Sequence, residues 1–531
     1  MKCIFKKLLK SGIWTQPLIM AILILCINYF NPNSLRSLET WMACFIISFL
    51  IVLFILIETL EHPNEEESIT GKKKALYPKI PKELLHDEPA GMILGKDKKT
   101  KKYVCNQEQS HYFIIGGAGS GKSSCHIINS ILANPSATFF VVDIKGELSF
   151  KGTRYGDGSV MIFNPSDKIS WGYNPFFLLG ENSTTQEIME TMQTIVASLI
   201  QIPANIKDPF WKLSARNLMT GLLIYYYKQG KHTFIDVVDE ILGRPIAESI
   251  QAVMENAEHN SVEYRYIVQF SSMAEETLGS IVAEVNNHLT IFVNDENIRY
   301  AFKDNSSKLS PKVLEEGKSI FLSIREDKLT PYYDILQLII NQTLSFLEQR
   351  PEDSKPIYFV IDELPRIVAN GKLDRLGDAV RTLRSRCVRL VLVTQSIEAL
   401  QQAYTEAEIV DLISNCNYVI VLSAKSQKTQ EMVCKWCGKY RAKKKSWSGN
   451  GKDKRSNISY EDKELIEESD FIQLERKEEA ILITPYGYLR VKKVPYYKDK
   501  FFKPLAEKIK KHNMAVLEMK QQSTQEENKV E

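Results

Sequence analysis

Residues 111–124, HYFIIGGAGSGKSS, hold a dense set of groups suited to phosphate chemistry. An apolar run of Tyr112, Phe113, Ile114 and Ile115 stops at Gly116, and Gly121, Lys122 and Ser123 complete the pattern G-x-x-x-x-G-K-[ST]. A buried strand delivers the chain to a turn. There Gly116, Gly117, Ala118, Gly119, Ser120 and Gly121 let the backbone aim N–H groups inward at phosphate oxygens. A helix starting near Lys122 and carrying Ser124 adds the positive end of its dipole. In this pattern Lys122 reaches the β- and γ-phosphates and the Ser123 hydroxyl ligates Mg²⁺, so the expected ligands are ATP and Mg²⁺.

Hydrolysis needs a second half. The apolar run 357–361 (IYFVI) ends in Asp362 and Glu363. A carboxylate at that point supplies a Mg²⁺ ligand, here Asp362 beside Ser123, and Glu363 is placed to deprotonate an attacking water. Another buried run, VLVT, ends in Gln395, an amide able to sense the γ-phosphate and relay its loss. Between these runs lie Arg381, Arg384, Arg386 and Arg389. An arginine supplied across a subunit boundary stabilises charge on a transferring phosphoryl group, and Arg384 and Arg386 stand just ahead of the Gln395 strand.

These residues need an α/β frame. Short strands are expected near 91–95 and 101–105, then the phosphate-loop strand, a helix over 122–133, and strands at 138–144 and 160–163. From 184 to 300 the spacing turns helical, with one stripe at Ile188, Met192, Ile195 and Leu199 and another at Leu218, Leu222, Tyr225 and Tyr226. That stretch reads as an all-α insertion. Strands resume at 319–324, a helix follows at 331–348, and strands at 357–361, 390–394, 418–422 and 480–484 complete a sheet covered on both faces. The expected domains are therefore 62–183 and 301–505 for the nucleotide fold, with 184–300 inserted between them. Residues 439–458, basic and rich in Gly and Ser, read as a mobile surface loop whose Arg441, Lys443, Lys444, Lys445, Lys452, Lys454 and Arg455 suit non-specific phosphate contact. Residues 506–531 read as a polar tail, disordered from 520.

The chain of 531 residues has a formal net charge of only +3, so any nucleic-acid surface must be local. Nine scattered cysteines argue against a disulfide framework and for a reducing compartment. Cys434 and Cys437 lack a second pair at zinc-site spacing and read as two positions on one helix face.

Residues 1–61 read as a transmembrane hairpin, with spans at about 13–30 and 41–57 joined by a turn containing Asn31, Pro32 and Asn33. Lys2, Lys6, Lys7 and Lys10 before it, and Lys72, Lys73 and Lys74 after it, place both termini and the nucleotide domain in the cytoplasm of a multi-pass cell-membrane protein.

In this order, HYFIIGGAGSGKSS, VVDIKGEL, DPFWKLSARNLMTGLL, SMAEETLGSI, IYFVIDELPRI and RLVLVTQSIEAL resemble the type IV secretion coupling proteins, the TraG/TraD-like conjugative DNA-transfer ATPases. The resemblance extends to about residue 490. Its most specific parts are Asp143, Lys145, Gly146 and Glu147, and the tryptophan segment at Asp208, Pro209, Phe210 and Trp211. It implies a RecA-like nucleotide-binding domain with an inserted all-α domain, and ring homo-hexamers with ATP sites between subunits. It also implies docking of a relaxase bound to single-stranded DNA (a relaxosome) onto a type IV secretion channel, with ATP-driven strand transfer. On this resemblance Gln395 is the third nucleotide motif and Arg384 the inter-subunit arginine, with Arg386 the alternative register. The short, mixed-charge end beyond about 500 lacks the long acidic extension of some members. Two other functions fit the same residues: an ATP-dependent receptor for secreted protein substrates, and a nucleotide-gated scaffold without catalysis. Glu363 speaks against the scaffold. A double-strand chromosome pump of the septal type is disfavoured by the D-x-K-G-E and tryptophan segments.

Overall fold

In the computed structural model the described residues are 77–530, except 167–169, 203–205, 304–307 and 449–454. The two spans expected at 13–30 and 41–57 lie outside them. Among the described residues no helix is long and apolar enough to cross a membrane.

Apolar runs such as YFII, TFFVV, SIFL and IYFVI form strands buried on both faces. In chain order the strands are β1 (Leu85–His86), β2 (Met92–Lys96), β3 (Tyr103–Asn106), β4 (Tyr112–Ile115), β5 (Thr138–Val142) and β6 (Val160–Phe163). After the short β7 (Gly172–Tyr173) and β8 (Lys308–Leu309) come β9 (Ser319–Leu322), β10 (Ile357–Ile361), β11 (Val388–Thr394) and β12 (Tyr418–Val421). The last are β13 (Lys439–Ser448), β14 (Arg455–Glu464), β15 (Glu479–Thr484) and β16 (Gly487–Lys492). Twelve of these make one sheet in the order β1-β3-β2-β16-β15-β12-β4-β11-β10-β5-β9-β6.

From β12 to β6 the neighbours run parallel, and from β15 to β1 antiparallel. Only the half from β12 to β6 matches the parallel sheet that alternating strands and helices predict. The β15–β16 hairpin instead turns back after Thr484, and its second strand meets β2 at Lys492 and Lys96. The consequence for chemistry lies in the parallel half. β11 sits between β4 and β10, with Thr394 level with Ile115 and Leu392 level with Ile361. The residues that follow β4, β10, β11 and β5 therefore leave the sheet at the same edge.

Helices cover the sheet. A widened turn (Ser123–Ile127) leads into α1 (Ile128–Ala133), and α2 (Glu147–Gly152) follows β5. The helical stretch contains α3 (Thr185–Leu199), α4 (Phe210–Lys228), α5 (Phe234–Leu242), α6 (Ile246–Asn256), α7 (Val262–Ile267), α8 (Glu275–Asn294) and α9 (Glu296–Phe302). Thr184 opens α3 with a capping box to Glu187, and both apolar stripes noted above are buried. Phe234, Phe292 and Phe302 interlock edge-on or tilted, with ring centres 4.9–6.1 Å apart, and Phe302 also meets Phe163 of β6 at 6.2 Å. Arg216 of α4 donates to the carbonyls of Ala197 and Ile200 at the end of α3 and lies 3.5 Å from Asp374 of the nucleotide fold.

Two segments differ from expectation. The described residues of 439–458 are strands: β13 and β14 form an antiparallel ribbon with Lys439 opposite Glu464 and Ser448 opposite Arg455. Cross-strand pairs such as Arg441 and Asp462, 3.8 Å apart, stabilise its base, a long-range pairing that local composition does not reveal. The polar tail is helical from Phe502 to Val530, and Asn513 is buried, donating to the carbonyls of Phe150 and Thr153 while accepting from the Tyr155 N–H. Asp499 caps that helix at Phe501 and Phe502 and pairs with Lys96.

Candidate functional site

β4 is wholly buried, so Gly116 emerges at a fixed place, its N–H held by the Thr394 carbonyl at 3.1 Å. The Gly117 N–H donates to Ser423 Oγ at 2.9 Å. Gly119 and Gly121 have φ of 75° and 99°, angles that a side chain rarely tolerates, and a Cβ on Gly121 would stand 2.7 Å from Cys125 Sγ. Lys122 is buried and folds back over the loop, donating to the carbonyls of Gly116 (2.8 Å) and Gly117 (3.3 Å).

The carboxylates arrive on β10. Ser123 Oγ donates to Asp362 Oδ2 at 3.1 Å, while Asp362 Oδ1 is buried without a partner. Burial first, and then the Glu363 charge, push Asp362 up to about 7. A buried carboxylate with a free oxygen beside a hydroxyl is a hard-oxygen donor pair that suits Mg²⁺, which takes one or two protein ligands and completes its shell with phosphate and water.

Glu363 adopts a left-handed conformation, φ 68° and ψ 51°, at the sharp turn into a short helix (Leu364–Ile367). Such a conformation in a residue with a side chain is strained, and here it turns the carboxylate back to the sheet edge. Glu363 Oε1 lies 3.5 Å from Lys122 Nζ, and Oε2 accepts from Gln395 Nε2 at 2.8 Å. The structure thus brings together Lys122, Ser123, Asp362, Glu363 and Gln395.

Arg384 and Arg386 are elsewhere. They precede Val388, at the opposite end of β11 from Gln395, about 20 Å away for a strand of this length. Arg384 is exposed, its Nη1 donating to Asn417 Oδ1 at 3.4 Å, and its charge acts on His111 at the start of β4. Neither arginine belongs to the site formed by its own chain.

Asp143 closes β5 beside Asp362. It is buried, which pushes its carboxyl up, and its Oδ2 accepts the Ser149 N–H at 2.8 Å to anchor α2. Trp211 and Phe210, at the start of α4, are half exposed and meet edge-on at 5.1 Å. Sequence reasoning passed over Ser423, which follows a buried strand as Gln395 does, and Lys493, for which no local signal exists.

Residues 68–519 match the family described as type IV secretory system conjugative DNA transfer. Among curated relatives, the protein VirD4 of Rhizobium radiobacter is 23% identical over 420 residues, covering 76% of this chain and 60% of the relative. VirD4 of Agrobacterium fabrum is 22% identical over 433 residues, covering 78% and 64%. The chain spans less than two thirds of the length of these relatives. Among solved structures, the bacterial conjugative coupling protein TrwBdeltaN70 superimposes with a TM-score of 0.61 at 17% identity, over 80% of this chain and 91% of that one. The plasmid coupling protein TrwB in complex with ADP and Mg²⁺ gives 0.57 at 17%, over 73% and 85%. The shared fold is a RecA-like nucleotide-binding sheet with an all-α part. With the matched family running through the phosphate loop, the helical stretch and both acidic strands, the chain belongs to the type IV secretory system conjugative DNA transfer family.

Proposed function

We propose that this chain is a membrane-anchored, ATP-hydrolysing coupling protein that drives single-stranded DNA from a relaxase complex into a type IV secretion channel. The observation that carries the reading is the meeting of Lys122, Ser123, Asp362, Glu363 and Gln395 at one edge of the sheet.

In this reading the N–H groups of residues 116–124 cradle the α- and β-phosphates, and Lys122 leaves the Gly116 and Gly117 carbonyls for the β- and γ-phosphate oxygens. Ser123 and Asp362 would hold Mg²⁺, which when bound draws charge from the phosphate oxygens. Once Lys122 turns to the nucleotide, Glu363 Oε1 is released to take a proton from the attacking water. Gln395 stays on Oε2 and carries the state of Glu363 into β11. Arg384 or Arg386, too far from their own site, serve the neighbouring nucleotide in a ring homo-hexamer. The apolar stretches at 13–30 and 41–57 anchor the chain with both termini and the nucleotide domain in the cytoplasm, and 184–300 forms an inserted domain that faces cargo. The basic residues Arg441, Lys443, Lys444, Lys445, Lys452, Lys454 and Arg455 supply non-specific phosphate contacts.

The test is the ATPase rate of the full chain in detergent, with and without single-stranded DNA, across protein concentration. A rate that DNA stimulates and that climbs steeply with concentration is expected. A rate indifferent to both, or Glu363→Gln hydrolysing as fast as wild type, removes the reading.

A further inference from the structure

The phosphate loop is held from outside by a segment that enters from the far end of the chain. After β16, residues 493–496 run across the first turn of the helix that follows Lys122. The Tyr496 N–H donates to the Ser124 carbonyl at 3.0 Å, and the Lys493 N–H to the Glu478 carbonyl at 2.8 Å. Asn129 Nδ2 bridges the carbonyls of Cys125 (2.8 Å) and Val494 (2.6 Å). The helix accommodates this strap by opening into a π-turn over Ser123–Ile127, in which the Ile128 N–H reaches back to the Ser123 carbonyl and leaves that of Ser124 for Tyr496. π-turns of this kind are frequent at functional sites.

The strap fixes one side chain against the loop. Lys493 Nζ donates to the Ser120 carbonyl at 3.0 Å and to the Leu422 carbonyl, just past β12, also at 3.0 Å. Both bonds end on neutral oxygens, so neither cancels the ammonium charge. The peptide plane makes the first bond consequential. The Ser120 carbonyl and the Gly121 N–H belong to one trans peptide unit and point in opposite directions. Holding the carbonyl outward aims the N–H inward, where the phosphate-binding concavity lies. Gly121, at φ 99°, has no side chain to fix that plane by itself.

Resting on the reading that this loop binds a nucleoside triphosphate, we propose that Lys493 is a positioning residue of the nucleotide site, which orients the Ser120–Gly121 peptide toward the β-phosphate and adds positive charge beneath it. The cost of this arrangement is visible in Lys493 itself: burial pushes its ammonium down from the ordinary lysine range. A bound phosphate returns that cost, so the effect belongs to nucleotide binding and not to the empty fold. Because Lys493 acts on the inner part of the loop, di- and triphosphates feel it alike, and a monophosphate feels it less.

The test is calorimetric binding of Mg·ADP, and of AMP, to the full chain in detergent, alongside ATPase kinetics. Lys493→Met is expected to weaken Mg·ADP by about ten- to a hundredfold, the range for a charge-assisted hydrogen bond, to change AMP binding less, and to raise KM for ATP more than it lowers kcat. Lys493→Arg, which keeps donors and charge, is expected to recover most of the affinity. If Lys493→Met does not fold, Lys493→Gln is compared with Lys493→Arg, and a gap of about tenfold is expected. Lys493→Met binding Mg·ADP as wild type does, or equal affinities of the Gln and Arg variants, overturns the proposal while nucleotide binding by the wild type stands. A wild-type chain that binds no Mg·ADP overturns the nucleotide reading and this proposal together.

Discussion

Gln395 and Glu363, which leave the sheet on adjacent strands and are 32 positions apart in sequence, are joined by a hydrogen bond of 2.8 Å from Nε2 to Oε2. The other Glu363 oxygen lies 3.5 Å from Lys122. Both oxygens of the candidate base are therefore engaged by neighbouring side chains, and the residue is only 7% exposed. This arrangement separates two functions that substitution can resolve. Glu363→Gln removes the proton acceptor and is expected to lower kcat at least about a hundredfold, with Mg·ATP affinity little changed. Gln395→Ala leaves the acceptor in place and is expected to reduce kcat about tenfold while abolishing stimulation by single-stranded DNA. The ratio of rates with and without DNA distinguishes the two, and an unchanged ratio in Gln395→Ala would remove the relay.

Nucleotide and metal should stabilise the fold together. A ligand that binds only the native state adds about 2.7 kcal/mol at a hundredfold excess over Kd. The wild-type melting temperature should rise accordingly with Mg·ATP, and much of the rise should vanish in EDTA. Asp362→Asn should behave with Mg²⁺ as wild type does in EDTA, because it removes the charged partner of Ser123. Lys122→Ala should lose the shift altogether. Thermal scans of the three proteins decide the matter.

Two buried histidines should make the nucleotide fold acid-sensitive. His111 Nδ1 accepts the Leu390 N–H at 3.0 Å and is pushed down to about 4 by burial, with the Arg384 charge adding to the effect. His126 lies 2.8 Å from the Ile93 carbonyl and is likewise pushed to about 4, mainly by burial. Each is neutral in the fold but binds a proton near 6.5 when unfolded. The unfolded chain thus holds more protons between pH 6.5 and 4, and stability falls as pH falls through that window. The loss amounts to a few kcal/mol at most for each group. Urea titrations at pH 7 and pH 5 should show it, and His111→Gln, which keeps a polar side chain but cannot titrate, should shrink the difference.

Gly221 lets α4 and α7 approach closely. A Cβ there would meet Ile267 Cδ1 at 2.7 Å and Tyr266 Cβ at 2.8 Å. Gly221→Ala gains helix propensity but forces the packed pair apart, and the net expectation is a loss of about 1–3 kcal/mol. Chemical denaturation measures this. A stabilised variant would show that the helical stretch relaxes more freely than its packing implies.

Much of the site was legible because its parts are local. G-x-x-x-x-G-K-[ST] after YFII, and Asp362–Glu363 after IYFVI, each couple a buried strand to the group it delivers. Where pairing partners are distant, the sequence was silent or misleading. The stretch 439–458 reads as a loop because its Gly, Ser and Lys content is that of a loop, and only cross-strand register makes β13 and β14 a sheet. The C-terminal helix looked like a tail because its polar residues outnumber its apolar ones, yet Phe502, Ala506 and Asn513 are buried against the nucleotide fold.

From its sequence alone the chain determined that it has the phosphate-loop pattern, an acidic pair at the end of a buried strand, and a long helical stretch, since these depend on residue type and short-range periodicity. Tertiary structure decided the rest. It placed β11 between β4 and β10 so that Gln395 meets Glu363, and it set Arg384 and Arg386 at the wrong end of that strand to serve their own site. It also carried Lys493 from beyond β16 onto the back of the phosphate loop. Sheet order and chain return bring residues hundreds of positions apart within a hydrogen bond of each other, and no local pattern encodes that distance.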